Sequence, residues 1–518
     1  MTFNIIIVGG GIAGLAAAIA LRSDHHTITI LEQSSQSREI GATISLQPNA
    51  SKIVENRWGL ADRLREQGSM PDSAFEVYNL RGELQTRVPL VTSKYGADRM
   101  IYHRVDLHQV LKHRATSDEY PGQPATLRVS SRVKGCDCDE GVVELEDGEI
   151  LKGDLIIGAD GIKSVIRGAV LGKEVPGQTT GLSAYRMMVN TEELVAEKGF
   201  VDVIDPRIAR TTMVVGPDRR LIMGPARNGS VYSIVALVPD EKRDEESTSW
   251  MTAGDKGKML ATFADFPEWA TTPLRLAARK EEDIGLWQLR DLDPLETWYR
   301  GRAILIGDAA HAMLPTQGQG GSQAVEDAEA LGAFFEGFKG GEGREEVERV
   351  CREVFECRYK RASTIQAYSR QAGRPVEEDV RVAMNPAEFM DYNCFRPMPA
   401  LELVYVHKIV NCPGKTIVGL RVDFPPNGST PPHRHGGASV SAYVVSGTLL
   451  NKMNEDPMKV IPAGGSWYEA PGCHHRISDN ASSTEPATLM AVMILDSEVY
   501  ERDGMAALLQ IDEEYKHN

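Results

Sequence analysis

Three glycines near the N-terminus have the spacing of a phosphate-binding turn. Gly9, Gly11 and Gly14 form GxGxxG, directly after the apolar run NIIIV and at the start of the alanine-rich segment AGLAAAIALR. In a strand–turn–helix unit, Gly9 permits the tight turn, Gly11 lets the backbone approach a pyrophosphate, and Gly14 lets the helix pack on the strand. The helix N-terminus adds free N–H groups and a partial positive charge. The segment therefore predicts a dinucleotide site.

An acidic residue follows where such a site needs one. Glu32 ends a second apolar run, eighteen residues after Gly14. A carboxylate at this point accepts hydrogen bonds from ribose hydroxyls and repels a 2′-phosphate. We therefore expect the turn to hold FAD or NAD rather than NADP.

Histidines near the C-terminus form a second candidate site. In PPHRHGG, His433 and His435 flank Arg434, so on a strand both imidazoles point to one face. His475, or its neighbour His474, follows a proline turn in EAPGCHHRISDN. Three neutral imidazoles suit Fe, Mn, Ni, Cu or Zn, and their spacing does not choose among these metals.

The elements that must position these residues differ between the two parts of the chain. Apolar runs at 4–8, 27–31 and 155–157 predict buried strands that alternate with helical segments such as SQAVEDAEALGAFFEGF. The stretch 180–285 is richer in β-type alternation and predicts an inserted layer. Beyond about residue 395, short strands are separated by Pro and Gly turns.

These patterns predict an α/β protein with a C-terminal all-β domain. A length of 518 residues is ample for roughly three domains of about 150 residues. The expected parts are a first domain over 1–385, made of dinucleotide-binding segments at about 1–180 and 286–385 and a β-sheet insertion at about 181–285, then a proline-rich linker at 386–400 and a second domain over 401–518.

Composition limits the partners. A net charge of −16 and a pI near 5.3 argue against a nucleic-acid partner, because proteins that bind phosphate backbones concentrate Lys and Arg on one face. The chain enters an apolar strand by Asn4 without the basic start of a signal peptide, and no apolar run approaches the ~20 residues of a membrane span. We therefore expect a cytoplasmic protein.

Two further segments carry a resemblance to a known family. GDLIIGADGIKSVIR contains Asp160, and RAILIGDAAHAMLPTQGQGGSQAVEDA contains Asp308. With GxGxxG, they resemble the DG and GD motifs of the class A FAD-dependent aromatic monooxygenases, of the salicylate and para-hydroxybenzoate hydroxylase type, over roughly residues 4–375. The resemblance implies a Rossmann-like FAD-binding domain of the GR2 type with an inserted β-sheet substrate domain.

The resemblance also assigns contacts with FAD. It implies that Asp308 binds the ribityl chain, and that the following loop opens a helix facing the pyrimidine end of the flavin, where negative charge gathers on reduction. Arg104, in HRVDLHQVL, matches the family arginine that binds FAD. The remaining implied FAD-binding positions are Ser45, Asp160, Pro315, Gly318, Gly320 and Gly321.

The implied reaction is aromatic hydroxylation through a flavin C4a-hydroperoxide, with O₂ and a small aromatic substrate as partners. No second GxGxxG follows a strand, so no separate domain for NAD(P)H is expected, and the resemblance implies that NAD(P)H docks transiently. Tyr185 and Arg186, in GLSAYRMMV, occupy the family position that faces the flavin and are the candidate catalytic residues. We expect Arg186 to bind a substrate phenolate, or to anchor a substrate carboxylate by its two-pronged fork.

The segment GPDRRLIMGPAR departs from salicylate-type members. Arg220 stands near a family histidine position, and Gly224 precedes Pro225 where the family carries tyrosine. We expect Gly224 to open space, which predicts a phenolic or polyketide-like substrate bulkier than salicylate. A flavin-dependent sensor or reductase is the alternative for this half of the chain.

The C-terminal histidine segments resemble the two cupin motifs over about 400–500. Val440 replaces the glutamate of the first motif. The expected divalent-metal site is therefore His433, His435 and His475 without a carboxylate. The alternatives are a metal-free barrel that binds a ligand, aids folding or mediates homodimerisation, and a cupin that performs a second metal-dependent step.

Overall fold

The chain forms two compact units, described here as the N-terminal unit, Met1–Cys394, and the C-terminal unit, Phe395–Asn518. Apart from its last residue, the expected linker at 386–400 lies outside the described residues. No helix in the described part of the chain combines the length and apolar character needed to cross a membrane. The computed structural model describes residues 2–35, 42–90, 95–240, 251–279, 284–373, 400–426, 428–430, 432–454, 456–482 and 485–511.

The N-terminal unit mixes strands and helices. Its described strands are β1 (Phe3–Val8), β2 (His26–Leu31), β3 (Thr43–Leu46), β4 (Met70–Pro71), β5 (Ala74–Tyr78), β6 (Leu84–Pro89), β7 (Met100–His103), β8 (Thr126–Arg128), β9 (Val133–Asp137), β10 (Val142–Leu145), β11 (Ile150–Lys152), β12 (Leu155–Gly158), β13 (Gln178–Asn190), β14 (Thr211–Val215), β15 (Arg220–Ala226), β16 (Val231–Pro239), β17 (Met251–Ala253), β18 (Gly285–Asp291), β19 (Tyr299–Arg300) and β20 (Ala303–Leu305). Its described α-helices are α1 (Ile12–Ala20), α2 (Pro48–Lys52), α3 (Ala61–Glu66), α4 (Arg104–Thr116), α5 (Val165–Leu171), α6 (Thr191–Val195), α7 (Lys198–Val201), α8 (Lys256–Thr262), α9 (Glu268–Arg279), α10 (Asp308–His311), α11 (Gly320–Phe335) and α12 (Arg344–Ala372).

The first sheet of this unit has the order β19-β20-β12-β1-β2-β8. β1 pairs in parallel with both β12 and β2, and five of its six residues are buried. Parallel strands covered on both faces read as continuous apolar runs, which is why the run at 4–8 predicts this strand correctly. The helix α1 follows directly and packs against α11, so the GxGxxG turn lies at the carboxyl end of β1.

A second, eight-stranded sheet has the order β17-β18-β13-β16-β15-β14-β5-β6. One of its faces is covered by an apolar core that includes Phe263, Phe266 and Trp269. The sheet takes β5 and β6 from the sequence before the expected insertion, because β14 pairs in parallel with β5. This sheet therefore extends beyond the contiguous stretch 181–285.

The C-terminal unit is built from two antiparallel sheets with an apolar interior between them. The elements of this unit are β21 (Ala400–Lys408), β22 (Lys415–Phe424), β23 (Ser429–Thr430), β24 (His433–Arg434), β25 (Ser439–Ser446), β26 (Thr448–Met453), β27 (Lys459–Pro462), β28 (Ser466–Glu469), β29 (His475–Asn480), β30 (Ala487–Asp496), α13 (Ser497–Asp503) and β31 (Gln510–Ile511). The sheets have the orders β21-β22-β30-β25-β28 and β27-β26-β29-β24-β31, and β23 pairs with β29. These elements agree with the expected α/β part followed by an all-β domain.

Candidate cofactor site and candidate metal centre

The three glycines of the first turn have different surroundings. Gly9 has φ +110°, and a Cβ there would overlap the backbone of Ala159. A Cβ on Gly14 would overlap the carbonyl oxygen of Gly9. A Cβ on Gly11 would meet nothing within 4 Å. Packing therefore explains Gly9 and Gly14, whereas Gly11 faces free space where a pyrophosphate can approach, as the fit of FAD requires.

The turn is held from two sides. The Gly10 N–H donates to Glu32 Oε2 at 2.8 Å, and the Ser34 N–H donates to Glu32 Oε1 at 2.7 Å. His108 Nε2, on α4, lies 2.7 Å from the Gly10 carbonyl oxygen. Glu32 thus lies beside the turn as predicted, while the contribution of His108 has no local signal in the sequence.

Asp160 caps a helix. The Ser164 hydroxyl donates to Asp160 Oδ1 at 2.5 Å, and the N–H groups of Val165 and Ile166 donate to Oδ2 at 2.7 and 3.2 Å. Burial raises the pKa of Asp160, and these donors oppose the shift. Because both oxygens serve the start of α5, Asp160 shapes the DG turn, and direct contact with a cofactor stays a prediction.

A buried network fixes the GD turn and is absent from the sequence-based expectations. Asp327 Oδ2 accepts the Gly307 N–H at 2.9 Å and lies 2.6 Å from His311 Nε2. Arg358 Nε donates to Asp327 Oδ1 at 2.9 Å. Burial alone would raise the pKa of Asp327, but the charges of His311 and Arg358 hold it below its ordinary value. The signal in the sequence is an acidic residue at a buried position of the α11 pattern.

Asp308 differs from Asp327. Its side chain is exposed, and no hydrogen bond to it is found within the described ranges. The surrounding protein nevertheless raises its pKa by desolvation, while the charges of His311 and Arg104 oppose the shift. The carboxylate therefore faces a recess in the unit and is free to accept hydrogen bonds from ligand hydroxyls, which fits a ribityl chain.

The loop after Asp308 reaches Ser45. Pro315–Gln317 form a single 3₁₀ turn, and Gly318 follows with φ +63°. A Cβ on Gly318 would lie 3.1 Å from Ser45 Oγ, which accepts a hydrogen bond from Arg99 Nη2 at 3.0 Å. The helix α11 then begins at Gly320 and Gly321. The structure thus brings Ser45 and the Gly-rich loop together.

Arg186 is a cation for which the described residues provide no counter-ion. It lies on β13, partly buried, with its guanidinium carbon 5.5 Å from the centre of the Trp287 ring. Within the described residues no carboxylate or carbonyl hydrogen-bonds to it. Burial lowers the pKa of Arg186, and repulsion from Arg104 lowers it further. Since Arg104 also acts on Asp308, these three charged groups share one region of the unit.

Tyr185 does not join this group. Side chains alternate along a strand, and Tyr185 points into the core on the face opposite Arg186, where it is 3% exposed. The structure therefore separates the two candidate catalytic residues onto opposite faces of β13.

The expectation that Gly224 opens space is wrong. A Cβ there would lie 3.2 Å from the Arg210 carbonyl oxygen, so the backbone before β14 already fills the position. Arg220, the other departure from the salicylate pattern, donates to the carbonyl oxygen of Ala372 at the end of α12. Neither residue argues for a bulky substrate.

The three predicted histidines of the C-terminal unit converge. His433, His435 and His475 are buried, and one ring nitrogen of each lies within 4.8 Å of the others. His433 and His475 are register partners on β24 and β29. His435 Nδ1 lies 2.7 Å from the Leu508 carbonyl oxygen, which leaves Nε2 for the cluster.

The cluster contains a carboxylate that the sequence analysis missed. Glu469, on β28, is 2% exposed, with Oε2 3.2 Å from His435 Nε2 and Oε1 3.4 Å from His475 Nδ1. Trp467 Nε1 donates to Oε1 at 2.8 Å. The register partner of Glu469 is Val440. The sequence predicted no carboxylate beside these histidines, whereas the strand that faces Val440 places Glu469 against two of them.

Protonation states in this cluster suit a cation. Burial would raise the pKa of Glu469, but the His435 and His475 imidazoles lower it to about 2. Burial lowers the pKa of His475 to about 4, although Glu469 opposes that shift. At neutral pH the site thus presents an ionised carboxylate and a neutral imidazole, the forms that bind metals.

The cluster opens onto a cavity of about 60 Å³ between the two sheets. This volume holds a metal ion with water or a small ligand but is well below the ~150 Å³ that accommodates benzene. The apolar part of its lining includes Leu420, Val422, Phe424, Leu489, Met493 and Leu508.

Two family models match the chain. One, described as the FAD binding domain, matches residues 2–348, and the other, described as the cupin domain, matches residues 420–493.

Individual proteins resemble the first of these regions. Hispidin-3-hydroxylase of Neonothopanus nambi is 32% identical over 347 residues, which cover 64% of this chain and 80% of that protein. 6-Hydroxynicotinate 3-monooxygenase of Bordetella bronchiseptica is 32% identical over 344 residues, covering 64% of this chain and 82% of that protein. A solved substrate complex of salicylate hydroxylase matches with a TM-score of 0.62 and 27% identity, covering 75% of this chain and 92% of that one.

Proposed function

Since the chain belongs to the FAD-dependent aromatic monooxygenases and carries a C-terminal cupin domain, we propose that its N-terminal unit hydroxylates an aromatic ring that is anionic when bound. The predicted family, the FAD cofactor and the enzymatic class are confirmed. The observation that carries the proposed substrate class is the Arg186 guanidinium, which lacks a counter-ion in the described part of the protein.

The residues around the recess fit FAD. Gly11 leaves room for the pyrophosphate, Asp308 offers a free carboxylate, and the N-terminus of α11 offers unpaired N–H groups to a flavin that becomes negative on reduction. When bound, FAD supplies the oxygen chemistry, with NAD(P)H as the reductant. Arg104 and Ser45 are the proposed further contacts.

Arg186 has the properties required to bind and activate a phenol. A phenolate is more electron-rich than a phenol, and a fixed cation beside its oxygen stabilises the ionised form. The Trp287 ring restrains the guanidinium from one side without neutralising it. Repulsion from Arg104 adds to the need for an anion, which a ring hydroxylate or carboxylate supplies.

The relatives support this substrate class. The names 6-hydroxynicotinate 3-monooxygenase and salicylate hydroxylase both denote hydroxylated aromatic carboxylates as substrates of those proteins. We extend to this chain only the shared chemistry, an aromatic ring that bears an ionisable oxygen group.

For the organisation of the chain, the division into units near residue 394 supports a hydroxylase domain over 1–385 and a cupin domain over 401–518.

The test is aromatic-dependent turnover by the full chain loaded with FAD. A panel of phenols, hydroxylated aromatic acids and their methyl ethers is offered with O₂ and each nicotinamide, and products are identified by mass. Arg186→Met is expected to lower kcat/KM by about 10²–10³-fold, as for loss of one charge-stabilising group, with FAD content unchanged. The matched control is Arg81→Met, because Arg81 is an exposed arginine between β5 and β6 of the same sheet and its ion-pair partner, Glu83, is also exposed.

Two results would overturn the proposal. One is full activity of Arg186→Met, and the other is turnover of methyl ethers as fast as the parent phenols.

A further inference from the structure

The spacing of polar atoms around Glu469 is that of ligands sharing one cation. Ligand atoms bonded to one metal at about 2.1 Å lie about 3.0–3.4 Å from each other in octahedral or tetrahedral geometry. Glu469 Oε2 lies 3.2 Å from His435 Nε2, and Oε1 lies 3.4 Å from His475 Nδ1. Both separations match a shared metal.

One buried carboxylate oxygen of this cluster lacks a hydrogen-bond partner in the described structure. Glu469 Oε2 has no hydrogen bond, because the lone pair of His435 Nε2, and not an N–H group, faces it at 3.2 Å. Buried polar atoms are nearly always satisfied by protein, water or an ion. A cation inside the cluster would satisfy the carboxylate oxygen and neutralise its charge.

The surrounding contacts orient the ligands. The Leu508 carbonyl oxygen accepts from His435 Nδ1, so the lone pair of His435 is on Nε2, which faces the cluster. The Trp467 indole holds Glu469 Oε1. Metal ligands usually have such outer hydrogen bonds, which fix the tautomer of a histidine and the direction of a carboxylate.

The register of β25 and β28 explains how Glu469 can reach the metal position from β28. Val440 and Glu469 are direct partners in this antiparallel pair, and both line the cavity. Side chains directly opposite each other project from the same face with Cβ atoms about 5 Å apart. A carboxylate on either strand therefore reaches the same space.

From these observations we propose that the C-terminal unit binds a divalent transition metal through His433, His435 and His475, and that Glu469 is its carboxylate ligand in place of a residue at Val440. With a divalent metal, three neutral imidazoles and one carboxylate give the site a net charge of +1. The proposal does not depend on the substrate proposed for the N-terminal unit.

The test uses the full chain, stripped of metal by a chelator and kept with its FAD. Co²⁺ is titrated by calorimetry, and its absorption is recorded beyond the flavin bands. We expect one Co²⁺ per chain, a loss of at least 100-fold in affinity for His435→Ala, and a loss of 10–100-fold with an altered spectrum for Glu469→Gln. Glu402→Gln, an exposed carboxylate on β21, is the matched control and should bind like the native chain.

A second pair of variants moves the carboxylate from β28 to β25, so that the conclusion does not depend on whether one single variant folds. Glu469→Val alone should bind Co²⁺ as weakly as Glu469→Gln. The double variant Val440→Glu, Glu469→Val should recover affinity to within about tenfold of the native chain, because it places the carboxylate on the register partner.

Three outcomes overturn the proposal. They are absence of stoichiometric Co²⁺ binding by the native chain, native affinity with an unchanged spectrum in Glu469→Gln, and a folded double variant that binds no better than Glu469→Val. The first would leave a metal-free network of hydrogen bonds.

Discussion

Each unit of this protein holds a buried carboxylate beside a histidine, and the two differ in how completely the chain satisfies them. Asp327, in the N-terminal unit, accepts a backbone N–H, contacts His311 and pairs with Arg358. Glu469, in the C-terminal unit, contacts two imidazoles and an indole, and its Oε2 lacks a hydrogen bond in the described structure. The satisfied carboxylate shapes a turn, whereas the unsatisfied one has capacity left for a ligand.

The same contrast recurs around the FAD recess. The space beside Gly14 is filled by protein, while the space beside Gly11 is free. Asp160 caps a helix, whereas Asp308 accepts no hydrogen bond from the described residues. Residues whose polar atoms or neighbouring space are already taken by the protein thus stabilise the fold, whereas residues with free polar atoms or free space are available to a ligand. Each of the following experiments tests one of these two groups.

The largest effect is expected for Asp327→Asn. Removing the charge leaves buried Arg358 and His311 with less compensation, and breaking a buried pair costs about 3–5 kcal/mol. The free energy of unfolding is measured by denaturant titration, with flavin release reporting the N-terminal unit. Asp62→Asn, at an exposed surface pair, is the control. A loss below about 1 kcal/mol would contradict the assignment of Asp327 to the fold.

Gly11→Ala should remove FAD without unfolding the protein. Gly11 has φ −79°, which alanine adopts, and the new methyl group would project into the space left for the pyrophosphate. We expect at least a 100-fold loss of FAD affinity, about 2.7 kcal/mol, measured by titrating the apoprotein. Gly135→Ala, also with nothing within 4 Å, should bind FAD normally. Equal FAD affinity in the two variants would show that Gly11 is not a contact point.

Asp308→Asn should weaken FAD binding by about tenfold, or about 1.4 kcal/mol, because a charged acceptor becomes a neutral one. The apoprotein should be as stable as the native one or slightly more so. Burial raises the pKa of Asp308, so above the pKa of the unfolded chain the ionised carboxylate costs stability, and the amide removes that cost. A clearly lower melting temperature of the apo variant would place Asp308 among the residues that hold the fold.

The smallest effect on activity is expected for Tyr185→Phe. Tyr185 lies in the core on the face away from Arg186, so kcat/KM should stay within about threefold of the native value. Stability should change by no more than about 1 kcal/mol, because the substitution removes one hydroxyl group and keeps the ring. Steady-state kinetics measure kcat/KM, and thermal melting measures the stability of the variant. A large kinetic loss would return Tyr185 to the active site.

Local features of the sequence were enough to predict the parts that depend on local structure. The apolar run at 4–8, the GxGxxG turn and the GD loop combine strand, turn and helix signals within a few residues, and the structure places them as expected. The His433–His435 pair is also local, because alternation along one strand puts both rings on one face.

What the sequence could not predict depends on contacts between distant segments. Asp327 meets Arg358 through the packing of α11 on α12, and no spacing rule records that pairing. Gly224 faces the backbone at Arg210, which sequence alignment by motif takes for free space. Glu469 enters the histidine cluster through the register of two strands. In each case tertiary packing decides what a residue touches.

The pairing of Val440 with Glu469 also bears on how such a site can change during evolution. A chain that first gains a second acid on the facing strand keeps its chemistry when the original acid is later lost, so the ligand can migrate without a non-functional ancestor. A consensus pattern that covers one strand alone would then classify such a barrel as lacking the acidic ligand, although the facing strand supplies it. In the proposed metal centre, either strand of the pair can carry the carboxylate. Searches for related sites should therefore compare cross-strand neighbours.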